Sequence, residues 1–117
     1  MDDLQLKPEV PRCSWRELFS LMLRRRRVCR VDGDSMRPAL KDGDRVLYAL
    51  TSACAAGDVV LARHPLVSDL LLIKRVECVA QDGRVILRGD AGLESSDSRG
   101  FGSIAPEAVL GRVTCRL

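Results

Sequence analysis

A chain of 117 residues, 46% hydrophobic and 30% charged, is bounded to a single globular domain with one real core. Aromatic residues make up only 3%, so the core has to be aliphatic, and base stacking on interleaved aromatic rings is not available to it. A net charge of +3 is too modest to call for nucleic acid, and no nucleic-acid partner is expected.

Residues 1–12 are polar, contain Pro8 and Pro11, and read as a flexible lead to a single domain over 13–117. Ser14-Trp15-Arg16-Glu17 has the form of a capping box, a hydroxyl at the N-cap with a carboxylate three residues on. It predicts a helix over 14–26 with Leu18, Phe19 and Met22 on one face. The apolar run over 18–23 falls short of the roughly twenty residues a bilayer span needs and is no secretory leader, so no transmembrane anchor is expected. Arg24-Arg25-Arg26-Arg27 reads as a solvated helix end, its cations favoured by the C-terminal dipole. Docking to an acidic patch, or peripheral contact with anionic lipid beside the apolar face, are the functional readings of the same run.

Beyond residue 44 the pattern turns to short β-branched runs with turns between them. Strands are predicted over 45–50, 59–63, 70–79 and 84–88, with Gln81-Asp82-Gly83 as a hairpin turn, and over 110–115. A Gly/Ser-rich loop covers 89–103, and Ala105-Pro106-Glu107-Ala108 forms one helical turn. The expected fold class is mostly β, one antiparallel domain with an N-terminal helix. Cys13, Cys29, Cys54, Cys78 and Cys115 are odd in number, scattered, and lack a Cys-x-x-Cys pair. That spacing disfavours a disulfide framework and a zinc site, and points to a reducing, cytoplasmic compartment with no metal or other cofactor.

The stretch that carries chemistry is Asp32-Gly33-Asp34-Ser35-Met36-Arg37-Pro38-Ala39-Leu40. A serine between a glycine and a proline sits on a sharply turned loop, and its hydroxyl needs a base to become a nucleophile. The one histidine, His64, precedes Pro65 and reads as a turn residue. Of three lysines, Lys7 and Lys41 lie among polar residues, whereas Lys74 interrupts Leu70-Leu71-Leu72-Ile73, the most apolar stretch of the chain. Burial there disfavours the ammonium. Bringing a lysine from about 10.4 to roughly 7–8 takes on the order of 4 kcal/mol of desolvation, within reach of a buried group. Ser35 and Lys74 thus form a chemically coherent dyad. Asp42, Asp44, Asp58 and Asp90, each beside a glycine, read as turn-formers.

Five boxes in order resemble the type I signal peptidase family: Gly33 to Leu40, Gly57-Asp58-Val59-Val60, Ile73-Lys74-Arg75-Val76, Arg88-Gly89-Asp90 through Ser95-Ser96-Asp97-Ser98-Arg99-Gly100-Phe101-Gly102, and Leu110-Gly111-Arg112-Val113. The resemblance runs from about Val31 onward and implies Ser35 as nucleophile, Lys74 as general base, and Ser95 as the hydroxyl that orients the lysine. It further implies Asp97 and Arg99 as supports, and the Ser35 backbone N–H as the oxyanion hole. Gly33 stands where some members add a second oxyanion donor, Asp34 where glycine is frequent, and Ala91 where the family has asparagine after Gly-Asp. Within the family, Arg63-His64-Pro65 and Leu-Leu-Ile-Lys-Arg look most like the proteases that mature nickel-type superoxide dismutase.

The expected activity is therefore that of a soluble serine endopeptidase removing an N-terminal leader from a protein precursor, the dismutase precursor first among candidates. Two alternatives stand beside it. A LexA-type self-cleaving repressor domain shares the dyad but needs a helix-turn-helix ahead of it, and only about thirty residues precede Ser35. A non-catalytic binding module on the same fold is suggested by Asp34 and Ala91.

Overall fold

The computed structural model describes residues 9–67, 69–91 and 97–117, and within them the alternating runs pair into one six-stranded antiparallel sheet. Helix α1 (Trp15–Met22) comes first, followed by β1 (Arg27–Arg30), β2 (Arg45–Leu50), β3 (Val59–Arg63), β4 (Leu71–Val79) and β5 (Val85–Arg88). A four-residue helix α2 (Ser98–Phe101), a 3-10 turn (Pro106–Ala108) and β6 (Val109–Arg116) complete the described chain. The spatial order β1-β2-β6-β3-β4-β5 inserts β6 between the two sequential hairpins. The mostly β fold with an N-terminal helix is the one expected from the sequence.

Successive strand residues face opposite ways, so a sheet packed on both sides needs two apolar sets. One set gathers Val60, Ala62, Val76, Val85, Leu87, Ile104 and Val109. The other gathers Val10, Val31, Met36, Leu40, Val46 and Val59, and it underlies the loop that carries Ser35. β3 feeds both sets, and its Val59, Val60, Leu61 and Ala62 are all buried.

Two segments depart from expectation. The first concerns the lead over 1–12: its first eight residues lie outside the described ones, but from Glu9 the chain is pinned. Val10 is buried in the second core set, the Pro11 carbonyl accepts from the Arg116 N–H at 2.7 Å, and Cys13 N–H donates to the Arg116 carbonyl at 2.8 Å. Covalent closure explains this, because Cys13 and Cys115 form a disulfide, against the reading of scattered thiols. The second is the helix, which starts as expected, Ser14 Oγ accepting from the Glu17 N–H, but ends at Met22. Arg24 takes a left-handed conformation at φ 61°, and the chain turns into β1 by Arg27. Its apolar face is not part of the core, since no α1 residue is buried. Glu17 holds the helix down instead, accepting from Thr114 Oγ1 and from Arg26 Nε at 3.0 Å. The Thr114 hydrogen bond lowers the Glu17 carboxyl against the opposing pull of burial, with Arg26 adding to it.

Candidate active site

The loop after β1 is a set of nested turns. Gly33, at φ 86°, donates its N–H to Asp42 Oδ1 at 2.7 Å, and Gly43 N–H returns to the Val31 carbonyl at 2.8 Å. A side chain rarely adopts that φ, so glycine at position 33 is what allows the turn. Asp44 accepts the Lys41 N–H and sends its own carbonyl to the Val31 N–H, so Asp42 and Asp44 are the turn-formers expected. Met36 and Leu40 then drop into the second core set and leave Ser35 half-buried above it. The apolar neighbours of Ser35 in sequence thus fix where its hydroxyl stands.

β4 supplies the other half. Lys74 lies opposite Val60 in the β3–β4 register, and its side chain, 4% exposed, donates from Nζ to Ser35 Oγ at 2.7 Å. The two residues are 39 apart in sequence. An amine in hydrogen-bond reach of a hydroxyl can take that proton once it is neutral.

Around the pair lies an open groove of about 210 Å³. Cys29 to Asp32 form one wall and Leu71 to Lys74 the other, with Met36 and Leu61 at the floor. β1 is an edge strand, and the β5 partners of β4 are Arg75, Val76, Cys78 and Val79, so the described β4–β5 pairing begins beyond the Leu71-to-Ile73 stretch that lines the groove. A second potential nucleophile, Cys29, lines the same groove. Burial first and the Asp32 charge second push its thiol up, which keeps it protonated and leaves the hydroxyl as the better-activated group. His64 is a turn residue as expected, its Nδ1 accepting from the Leu66 and Val67 N–H groups and its ring 4.9 Å from that of Phe101.

Bracing of the site comes from residues further along the chain. Arg75, next to Lys74 and pointing the other way, is bidentate to Asp90 at 2.9 and 2.8 Å and donates to the Gly57 carbonyl at 2.8 Å. Both side chains are almost fully buried. Asp90 lies in a turn, as expected beside its glycine, and its carboxylate serves in addition as the counter-ion of Arg75. The next residue, Ala91, donates its N–H to the Ser35 carbonyl at 2.8 Å. Asp97, fully buried, caps α2 at the Arg99 N–H, accepts from the Gly89 N–H at 2.9 Å and pairs with Arg99 Nη2 at 2.7 Å. Burial pushes the Asp97 carboxyl up. The Arg99 hydrogen bond, the Gly89 and Arg99 N–H groups and the guanidinium charge outweigh that and hold it down at about 2. Ser98 Oγ adds a further tie, accepting from the Leu87 N–H at 2.8 Å.

The structure thus brings Ser35 and Lys74 together, and Asp97 and Arg99 with each other, while Ser95 lies outside the described residues. Sequence reasoning missed Arg75, Asp90 and the Ala91 N–H. The available signal was an arginine in the same apolar stretch as Lys74, whose burial demands an anionic partner. Asp34, beside the nucleophile position, is exposed and paired with Arg37 at 2.9 Å.

Residues 19–82, just over half of the chain, match the family model described as signal peptidase, peptidase S26. That segment contains Ser35 and Lys74, whereas Asp90, Asp97 and Arg99 lie beyond it. No curated protein matches the chain.

Proposed function

The chain belongs to the signal peptidase family, peptidase S26, and from that premise we propose that it is a serine endopeptidase with Ser35 as nucleophile and Lys74 as general base. The observation that carries the reading is the 2.7 Å separation of Lys74 Nζ and Ser35 Oγ, with the amine 4% exposed.

In this reading an extended substrate segment lies in the groove between Cys29 to Asp32 and Leu71 to Ile73, its backbone running along the strands that form the two walls. Neutral Lys74 takes the Ser35 proton as Oγ attacks the scissile carbonyl. The Ser35 N–H faces the oxyanion that forms. Lys74 then gives the proton to the departing amine, leaving an acyl-enzyme on Ser35. It next deprotonates the water that hydrolyses the ester and restores the serine. Ser95 is assigned as the hydroxyl that orients the amine.

The substrate we propose is a protein precursor losing an N-terminal leader, with the nickel-type superoxide dismutase precursor as the specific candidate. Support for it is the wording of the Arg63-His64-Pro65 and Leu72-Ile73-Lys74-Arg75 segments. Co-expression with that precursor tests the substrate: the wild type trims the dismutase N-terminus, and Ser35→Ala leaves it whole. A folded precursor left equally intact by both overturns the substrate assignment. Failure of Ser35 to be acylated by a serine-reactive probe overturns the peptidase reading itself.

A further inference from the structure

Helix α1 carries a row of large apolar side chains that the rest of the protein does not cover. Trp15 is 73% exposed, Met22 77%, Phe19 52% and Leu23 50%. Among the described residues the helix is fastened from its other side, through Glu17, the half-buried Leu21 and the Cys13–Cys115 bond. Eight residues are too few to hold a helix in water unaided, so this element owes its place to those ties, not to its apolar face.

The charged residues that flank it in sequence are nearly all of one sign. Arg12, Arg16, Arg24, Arg25 and Arg27 are all exposed, and the only acid between Val10 and Val31 is Glu17, already engaged by Arg26 and Thr114. The antiparallel order puts the start of β1, the end of β2 and the start of β4 at the same end of the sheet. Val28, directly after the arginines, is exposed there, as are Leu50 and Leu71 on β2 and β4. An apolar row ending in clustered guanidinium groups complements a surface that is apolar a few ångströms down and anionic on top.

We propose that α1 and the arginines at 24, 25 and 27 form a face that lies in the plane of an anionic lipid bilayer. The Trp15, Phe19 and Met22 side chains enter the acyl boundary, and the guanidinium groups engage lipid phosphates, bidentate where two oxygens are presented. The same face holds β1, and with it the groove, close to the bilayer surface.

The test uses the full chain carrying Ser35→Ala, so it stands apart from the peptidase reading. Trp15 is the only tryptophan, so its emission reports this face directly. Phosphatidylcholine vesicles with and without phosphatidylglycerol are added, and binding is read by co-sedimentation and by Trp15 emission. The expected result is a blue shift and at least about ten-fold stronger binding to the anionic vesicles, lost as salt is raised from about 0.1 to 1 M. Arg24→Glu with Arg25→Glu weakens binding by at least about ten-fold, and so does Met22→Gln, both with the melting temperature of the parent. The inference is overturned by unshifted Trp15 emission on anionic vesicles, by equal binding to both vesicle types, or by full binding of the charge-reversed chain. A concentration-dependent dimer that buries Trp15 without lipid overturns it in favour of a second copy.

Discussion

Ala91 donates its backbone N–H to the Ser35 carbonyl at 2.8 Å, which makes the residue after Asp90 a direct support of the loop that carries Ser35. Asp90 is locked to Arg75, and Arg75 is the neighbour of Lys74. Ser35 and Lys74 are therefore tied together a second time, through a buried ion pair on the far side of β4. Arg75→Met leaves the Asp90 carboxylate buried without its fork, a loss of about 3–5 kcal/mol. Chemical denaturation is expected to show that loss. The acylation rate of Ser35 at a temperature where the variant remains folded should fall at least about ten-fold, as a displaced nucleophile requires.

Lys74→Arg should be as inactive as Lys74→Ala. Arginine keeps its proton at any accessible pH, so it can sit beside Ser35 without serving as a base. Acylation and turnover of the three proteins on one peptide decide the matter, and near-wild-type turnover by Lys74→Arg removes the lysine from its proposed role.

Acid should unfold the protein in part through Asp97. Its carboxyl is held at about 2 in the fold against an ordinary 3.8, so the charged form is favoured by folding. The contribution, roughly 2 kcal/mol, is fully present above about pH 4 and is lost as pH falls through about 2. Asp97→Asn should lack that component, with a flatter stability profile between pH 4 and pH 2 and a lower stability at neutral pH.

Gly111→Ala should destabilise without touching the site. A Cβ there would collide with the ring of Tyr48 and lie 3.0 Å from the Ala49 carbonyl, where β2 and β6 pair. The expected cost is about 1–3 kcal/mol, read from denaturant midpoints, with acylation of Ser35 unchanged.

Reduction of the Cys13–Cys115 bond should free the segment at 9–13, including Val10 in the core beneath Met36. The bond closes a loop with a sequence separation of 102 residues, and losing it should cost about 2–5 kcal/mol. Cys13→Ser is expected to match the reduced wild type, with faster amide exchange along the end of β6 than in the oxidised protein.

The strands at 45–50 and 59–63 were legible in the sequence because their β-branched runs were bounded by turn residues, and the hydroxyl–amine pair because a lysine in an apolar run demands a reason. Arg27 to Arg30 were not legible as a strand. They read as the tail of a charge run, and an edge strand paired on one side tolerates such residues. The end of α1 was missed for want of a glycine or proline: Arg24 takes the left-handed turn with a side chain of its own. Cys13 meets Cys115 only because Arg12 bridges Arg116 in parallel, a register that no local spacing encodes. The turn at Asp90 was legible from its glycine neighbour, but its role as counter-ion to Arg75 depends on a pairing between strands that no local spacing encodes.

The position of β6 sets when the sheet can close. β1 and β2 flank the Ser35 loop, β4 carries Lys74, and β6, synthesised after both hairpins, is the strand that hydrogen-bonds β2 to β3. A nascent chain that stops short of Val109 lacks that seam. The backbone ladder joining the two hairpins is therefore completed only once translation has passed β6.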